Sequence, residues 1–219
     1  MENKLSKDYQ LINIIVDCGK ASKILHRAKE LGIPGGTVSM ATGTVNHGFL
    51  NFLGLRDTRK ELIYMVADKE LSLEVLESLN REFEFSKPHH GIAYTTDICQ
   101  VIGTRLIGFD KCLDGGDEYM HQLINVIVDR GKAERVIEAA TEVGSKGGTI
   151  LNARGSGVHE TQKLFGMEIE PEKEIVVIIA KTEDAEAIVN NITLKIDIAK
   201  PGNGIIYLQN VNKVYGLAE

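Results

Sequence analysis

Two kinds of apolar pattern alternate along the chain. Runs in which almost every residue is apolar, such as Leu123–Val128 and Ile175–Ala180, predict buried β-strands. Between them, apolar residues recur every three or four positions, which predicts helices with one buried face. These helical positions are Ala133, Val136, Ile137, Ala140 and Val143, and later Ala185, Ile188, Val189 and Ile192. Further strands are predicted at "GGTILNA" (147–153) and "GIIYLQNV" (204–211), so the order of elements is β-α-β-β-α-β.

Residues beside the predicted helices agree with this assignment. We expect Asp129 to cap the N-terminus of the first helix and Gly144 to end it. The first half of the chain has the same helical spacing at Ala21, Ile24, Leu25 and Ala28, and again at Val75, Leu76 and Leu79.

The two halves of the chain are copies of each other. Residues 11–43 and 123–155 are identical at 17 of 33 positions without a gap. The match continues through 60–68 and 173–181, and it ends with "KPHHGIAY" (87–94) against "KPGNGIIY" (200–207). We therefore predict two homologous domains, 9–103 and 122–219, joined by a linker over residues 104–121.

The order of elements favours the α+β class, with two tandem ferredoxin-like domains. Each domain is expected to have a four-stranded antiparallel sheet with both helices on one face. Because strands such as "IVVIIA" (175–180) are apolar on both faces, we expect another domain or another chain to cover the second sheet face.

Composition narrows the classes of partner. Basic residues number 25 against 31 acidic ones, the net charge is -6, and no basic cluster stands out, which argues against a nucleic-acid partner. The apolar runs are too short to span a bilayer, and "MENKLSKDYQ" (1–10) lacks the apolar region of a signal peptide, so we expect a cytoplasmic protein. Cys18, Cys99 and Cys112 have no CxxC spacing and are expected to be free thiols.

Two glycine-rich turns flank predicted strands, one at Gly155–Gly157 and one at Gly202–Gly204. Glycine lets successive backbone N–H groups point into one space, which suits an anion. The Gly-Lys pairs at 19–20 and 131–132 do not form P-loops, because the upstream glycine and the following Ser or Thr are missing.

Histidines offer a different chemistry. His89 and His90, with His47 from a long loop, could ligate a metal, but no Cys/His spacing supports a site and solvated loop histidines are the simpler interpretation. No nucleophile stands in a recognisable elbow, and we expect no enzymatic activity. Alternating carboxylates along one loop look like a solvated edge rather than an acid/base pair: Glu168, Glu170, Glu172 and Glu174.

A long loop follows the second predicted strand of each copy, at 42–59 and at 154–172. Such loops are far longer than ordinary hairpin connections. Each has an apolar tip before a glycine, namely Phe52-Leu53-Gly54 and Leu164-Phe165-Gly166. Two interpretations remain open. Either the loop is a mobile arm that docks on a partner or closes over a ligand, or it extends the hairpin and packs on a neighbouring subunit.

These segments together resemble the PII family of signalling proteins. The resemblance is carried by residues 124–157, the loop after them, "KEIVVIIA" (173–180) and "KPGNGIIYLQNV" (200–211). It implies a homotrimer whose sheets line a central barrel, with a T-loop at 154–172 and a B-loop at 200–204. It also implies an adenine nucleotide, ATP or ADP, bound between subunits between these loops, with 2-oxoglutarate beside the T-loop.

Carried over residue by residue, the resemblance gives a binding site at Gly155, Gly157, Gly202, Asn203 and Gly204. Ile205 stands where the family has a lysine. The T-loop would engage a target enzyme, channel or transporter, with Leu164, Phe165, Gly166, Phe52 and Leu53 as the contacting residues.

The sequence therefore predicts a PII-like, non-enzymatic regulator that senses a small-molecule effector and acts on a partner protein, in nitrogen regulation. Two alternatives remain. One is a metal-binding trimer of similar fold that uses His47, His89 and His90, and the other is a structural adaptor whose loop tips dock a membrane protein.

Overall fold

The computed structural model describes residues 8–44, 57–103, 108–109, 119–156, 162–164, 167–198, 200 and 202–217. The chain divides into two compact units. One is Leu11–Thr96, and the other is Asp97–Glu219 together with the residues up to Gln10. The domain boundaries expected from the sequence, 9–103 and 122–219, follow the extent of each repeat and stay a prediction.

The first unit has the predicted order of elements. They are β1 (Tyr9–Asp17), α1 (Ala21–Glu30), β2 (Gly36–Thr44), β3 (Asp57–Asp68), α2 (Lys69–Phe83) and β4 (Ile92–Ile98). The strand order is β4-β1-β3-β2, and β2 and β3 are antiparallel. This is the ferredoxin-like arrangement, in which the first strand lies between the third and the fourth.

The second unit repeats this arrangement and extends it. Its elements are β5 (Gln100–Ile102), β6 (Gly108–Phe109), β7 (His121–Asp129), α3 (Ala133–Thr141), β8 (Thr149–Ser156), β9 (Gln162–Leu164), β10 (Met167–Ile169), β11 (Glu172–Lys181), α4 (Thr182–Ile196) and β12 (Ile205–Val211). The strand order is β8-β11-β7-β12, with β5 and then β6 added beyond β12. The predicted α+β class with two tandem ferredoxin-like domains is confirmed.

Each core lies between the sheet and its two helices. In the second unit, alternate residues of β7 pack against the apolar faces of both helices, including Ile124, Val126, Val128, Val136, Ala140, Ile188, Val189 and Ile192. The first unit uses the equivalent set, including Ile12, Ile14, Ile24, Leu25, Val75 and Leu79. The predicted helical position Val143 is an exception, because α3 ends at Thr141 and Val143 is 36% exposed. Gly144 follows with a φ of +104°, as expected at a helix end.

The start of α3 is capped from the neighbouring strand and not by Asp129. Glu174 Oε2 accepts hydrogen bonds from the backbone N–H groups of Gly131 at 2.9 Å and Ala133 at 3.0 Å. Asp129 instead accepts from Lys132 Nζ at 2.6 Å. The prediction that Asp129 caps this helix is therefore wrong.

The first unit caps α1 in the same way. Glu61 Oε2 accepts from the backbone N–H groups of Gly19 and Ala21, both at 2.9 Å, and Glu61 is only 2% exposed. A carboxylate near a helix N-terminus also interacts favourably with the helix dipole. Both repeats thus tie the first helix to the third strand through one glutamate.

The sheet face away from the helices is buried at some positions and exposed at others. On this face Ile175 and Tyr207 are each 2% exposed, whereas Leu151, opposite Ile175 in the register, is 38% exposed. That another domain or another chain covers this face stays a prediction.

Replacing Glu174 by Ala should lower the free energy of unfolding of the second unit by about 1–2 kcal/mol, because two backbone N–H groups lose their acceptor. Urea denaturation followed by circular dichroism measures this loss. The control is Glu172→Ala, since Glu172 is 66% exposed and pairs with Arg130 at the surface. That variant should change the stability by no more than about 0.5 kcal/mol. Equal losses from both variants would contradict the capping role of Glu174.

Candidate functional site

The turn Gly202–Gly204 connects α4 to β12. Its two glycines differ in how much space a side chain would have. A Cβ on Gly204, at a φ of +142°, would lie 2.3 Å from the carbonyl oxygen of Ile127, so no side chain fits there. Gly202 has a φ of +89°, and a Cβ there would meet nothing within 4 Å. Packing therefore requires Gly204, whereas Gly202 leaves an open space beside the backbone.

Asn203, between these glycines, is engaged with the end of α4. Its side-chain amide donates to the carbonyl oxygen of Asp197 at 2.9 Å and to that of Ile196 at 3.4 Å. These carbonyls belong to the last turn of the helix, which lacks intrahelical donors. The backbone N–H of Asn203 donates to the carbonyl oxygen of Lys200 at 3.1 Å. The turn therefore offers a ligand the space beside Gly202, while the Asn203 amide closes the helix.

The equivalent turn of the first unit, His89–Gly91, is built on the same plan. A Cβ on Gly91 would lie 2.8 Å from the carbonyl oxygen of Ile15. His90 Nδ1 lies 3.3 Å from the carbonyl oxygen of Phe83, at the position where Asn203 contacts Ile196. His89 has a φ of +66°, at the position of Gly202. The two histidines therefore occupy the structural places of Gly202 and Asn203.

The metal alternative gains no support from the residues that the structure describes. Within those ranges, no three His, Cys, Asp or Glu side chains are close enough to hold a metal ion. His90 contacts the end of α2, and His47 lies outside the described ranges.

A lysine precedes each turn and pairs with the residue that ends the helix. Lys200 Nζ lies 2.6 Å from Asp197 Oδ2, and Lys87 Nζ lies 2.6 Å from Glu84 Oε1. Both lysines are well exposed. Lys200 thus brings a positive charge to the second turn, and Lys87 is its matched counterpart in the first.

The other predicted glycine site lies at the base of the long loop. Gly155 is buried in β8 and donates its N–H to the carbonyl oxygen of Pro171 at 3.0 Å. Beside it, Arg154 Nε donates to Glu170 Oε2 at 2.6 Å. These bonds close the two ends of the loop against each other. Gly157 lies outside the described residues.

The long loop contains a hairpin of its own. Strands β9 and β10 pair antiparallel, with Leu164 opposite Met167. The loop is therefore structured on both sides of its tip, as the interpretation of an extended hairpin expects. Of the predicted partner-binding residues, Leu164 ends β9, whereas Phe165, Gly166, Phe52 and Leu53 lie outside the described residues.

The alternating glutamates are not a uniform solvated edge. The Glu170 side chain is 15% exposed and bound to Arg154, and Glu174 caps α3. The expectation of a solvated edge is wrong for these two residues and correct for Glu172, which is 66% exposed.

Sequence reasoning missed a charged cluster that occurs in both units. In the second unit Asp129 accepts from Lys132 at 2.6 Å and from Lys173 at 2.7 Å, and the Lys173 side chain is 10% exposed. Burial raises the pKa of Asp129, but the hydrogen bonds from the two lysines outweigh it, so the net pKa lies below its usual value of 3.8. The signal for this cluster was the recurrence of "D-x-GKA" together with "KE" in both copies.

The first unit has the same cluster around Asp17. Lys60 and Lys20 both donate to its carboxylate. The hydrogen bond from Lys60, followed by that from Lys20, lowers the pKa of Asp17 below its usual value.

Residues 121–218 match the family model described as nitrogen regulatory protein P-II. The second repeat is a P-II family domain. This range covers the capped helix, the long loop and the turn Gly202–Gly204. None of the curated proteins matches the chain.

Solved structures that match the chain do so with TM-scores of 0.33–0.34. A PII protein of Arabidopsis thaliana bound to citrate is 21% identical, covers 43% of this chain and 77% of its own, and gives a TM-score of 0.34. The B. subtilis GlnK–ATP complex is 15% identical, with coverages of 47% and 93% and a TM-score of 0.33. The regulatory subunit of aspartate kinase from Thermus thermophilus is 15% identical, with coverages of 86% and 92% and a TM-score of 0.33. Among the helices that the structure describes, none is both long and apolar enough to cross a membrane.

Replacing His89 by Gly should stabilise the first unit by about 0.5–1 kcal/mol, because glycine adopts a positive φ without the steric cost that a side chain incurs. The reciprocal variant Gly202→Ala should destabilise the second unit by about 1 kcal/mol. Thermal and urea unfolding of both variants measure these changes. A loss of stability in His89→Gly would show that the imidazole contributes more than its backbone conformation costs.

Acid should weaken the second unit partly through Asp129. Because its pKa is lowered in the folded state, its ionised form stabilises the fold above the usual pKa of 3.8, and this contribution is lost as the pH falls through the lowered pKa. The variant Asp129→Asn should therefore lose less stability between about pH 5 and pH 3 than the wild type. Asp8→Asn, at an exposed site, is the control and should keep the wild-type pH profile. Parallel profiles for Asp129→Asn and the wild type would refute this role.

Proposed function

We propose that this protein is a P-II-type regulator that binds an adenine nucleotide, ATP or ADP, at the turn Gly202–Gly204. In this proposal the binding site lies between the subunits of a homotrimer. The nucleotide changes the conformation of the loop 154–172, which then engages or releases a target enzyme, channel or transporter in the cytoplasm, in nitrogen regulation. The protein itself catalyses no reaction. The observation that carries the proposal is the match of residues 121–218 to the P-II family model.

The chemistry of the turn supports a phosphate ligand. Gly202 has open space beside its backbone, so a phosphate oxygen can approach the main chain closely at this position. The C-terminal end of a helix is unfavourable for an anion, because its carbonyl groups carry partial negative charge. Asn203 occupies two of these carbonyls, and Lys200 adds a positive charge next to the turn. Both features offset the repulsion from α4.

The two repeats differ at the position that matters for this ligand. Where the second unit has Gly202 beside open space, the first has the side chain of His89. We assign nucleotide binding to the second unit, and we regard the first as a copy that keeps the backbone of the turn for structural reasons.

The base of the long loop is the place where a ligand can change its conformation. Arg154, bound to Glu170, is partly buried, and Gly155 next to it is buried in β8. A ligand that competes for the Arg154 guanidinium or for the backbone beside Gly155 would favour one arrangement of the loop over another. By thermodynamic linkage, a partner that selects one arrangement changes the nucleotide affinity by the same factor.

Isothermal titration calorimetry with ATP, ADP, AMP, cyclic dinucleotides and 2-oxoglutarate tests the proposal. We expect ATP or ADP to bind. Lys200→Ala should weaken this binding about tenfold or more, because a charge-assisted contact to phosphate is lost. Lys87→Ala removes the equivalent lysine of the first unit and should leave the affinity within about twofold of the wild type. Both variants break one surface ion pair, so a general loss of stability would affect them alike.

Two results would contradict the proposal. If none of these ligands binds, the protein is not a nucleotide sensor. If Lys87→Ala weakens binding as much as Lys200→Ala, the site does not belong to the second repeat. Metal analysis of the purified protein, with His89→Ala for comparison, separately tests the metal-binding alternative.

A further inference from the structure

Asn203 is the one asparagine of the sequence that is followed by glycine. The side-chain carbon Cγ of an asparagine can be attacked by the backbone nitrogen of the next residue, which closes a five-membered ring. A side chain on the next residue hinders this attack, whereas glycine has no Cβ and leaves its nitrogen accessible. Asn203 is therefore the asparagine of the chain that is chemically most prone to lose its amide.

Packing keeps a glycine at position 204. A Cβ there would lie 2.3 Å from the carbonyl oxygen of Ile127, so residues with side chains are excluded. The first repeat has the same requirement at Gly91, where a Cβ would lie 2.8 Å from the carbonyl oxygen of Ile15. The residue before Gly91 is His90, which has no amide to lose. The two turns therefore differ in their chemistry, although packing gives both of them the same glycine.

The reactive pair lies between two elements and is open to water. Helix α4 ends at Ile196 and strand β12 begins at Ile205, so the pair belongs to neither of them. Asn203 and Gly204 are partly exposed, and Gly202 before them is exposed. Water can therefore reach a ring that forms at this position and hydrolyse it.

The amide that would be lost is also the group that closes the end of α4. Asn203 Nδ2 donates to the carbonyl oxygen of Asp197 at 2.9 Å and to that of Ile196 at 3.4 Å. Ring closure removes this nitrogen, so both hydrogen bonds must break first. The last turn of a helix opens at a lower free-energy cost than the core does. The reaction therefore proceeds from those molecules in which the end of α4 has opened.

We propose that Asn203 is a deamidation site whose modification permanently releases the end of α4. The backbone nitrogen of Gly204 gives up its proton and attacks Asn203 Cγ, the Cγ–Nδ2 bond breaks, and ammonia leaves. Water then adds to one of the two ring carbonyls, which leaves aspartate or isoaspartate at position 203. The net reaction consumes one water and releases one ammonia, and it needs no oxidant or enzyme. This modification does not depend on nucleotide binding.

The product cannot restore the closed helix end. A carboxylate has no hydrogen to donate to the carbonyl groups of Ile196 and Asp197, and it places a negative charge at the negative end of the helix dipole. Isoaspartate also lengthens the main chain directly before Gly204, where the packing leaves no room. Each deamidated chain therefore has a less stable second unit and one more negative charge in this turn.

Incubation of the purified full-length protein near neutral pH tests the modification. Tandem mass spectrometry of tryptic peptides measures the replacement of an amide by a carboxyl group, and protein isoaspartyl methyltransferase labels the isoaspartate product. Peptide 196–213 also contains Asn210 and Asn212, which precede residues with side chains and are internal controls. We expect Asn203 to convert at least about tenfold faster than either control, because only its neighbour lacks a Cβ. Equal conversion of the three asparagines would overturn the proposal.

Two variants test the chemistry at this position. Asn203→Gln keeps an amide but would have to close a six-membered ring, so we expect no conversion at position 203. His90→Asn places an asparagine before the required glycine of the first repeat and should create a second site of conversion there. Conversion at position 203 in Asn203→Gln, or none at position 90 in His90→Asn, would overturn the proposed mechanism.

Thermal unfolding tests the structural consequence. Asn203→Asp reproduces one product and should lower the melting temperature by about 2–4 °C relative to freshly purified wild type, because the two hydrogen bonds at the helix end are lost. The wild type should approach this lower value during incubation, whereas Asn203→Gln should keep its own starting value. A wild-type melting temperature that stays constant while peptide mapping shows conversion would overturn the release of α4.

Discussion

The antiparallel register between strands β7 and β11 determines most of what surrounds the candidate site. In the second unit this register sets Lys173 opposite Asp129 and Glu174 opposite Val128. Lys173 therefore reaches the Asp129 carboxylate, and Glu174 reaches the N–H groups at the start of α3. A shift of one residue would move both side chains to the opposite sheet face and leave the helix start without its acceptor. On the other side of β11, its register with β8 brings the two ends of the long loop together at Arg154 and Glu172.

A second constraint explains why the two turns still look alike although the repeats have diverged. Gly91 and Gly204 each pass so close to a carbonyl oxygen of the first strand that a Cβ cannot be accommodated. The two preceding positions are less restricted by packing, and there the repeats differ. His89 occupies the position of Gly202, and His90 occupies that of Asn203. Packing therefore preserved the shape of the turn in both copies, while the chemistry presented to solvent could change in one of them.

Local pattern was sufficient to predict the elements and the fold, because strand and helix periodicities depend on residues that are close in the sequence. The internal repeat also showed each element twice. Local pattern was insufficient to predict contacts between residues that are far apart in the sequence and are brought together by strand pairing. The cap on α3 comes from Glu174, which is 43 residues away from Gly131, so a search for a nearby capping residue selected Asp129 instead. For the hairpin β9–β10, the sequence left two interpretations of the long loop open, because each of its strands is only three residues long and shows no periodicity. For the site itself, the sequence located the turn but could not separate the glycine that packing requires from the one beside open space.

The pairing of β5 with β12 has a consequence for how the protein forms during synthesis. Strand β5 leaves the ribosome at the end of the first repeat, whereas β12 follows only after most of the second repeat. Residues 11–96 contain all the strands and both helices of one complete core, so that unit can fold while translation continues. The added strand must wait for almost the entire second repeat before its partner exists. Completion of the second sheet is therefore a late event of high contact order, and until then the apolar residues of β5 are exposed to the cell.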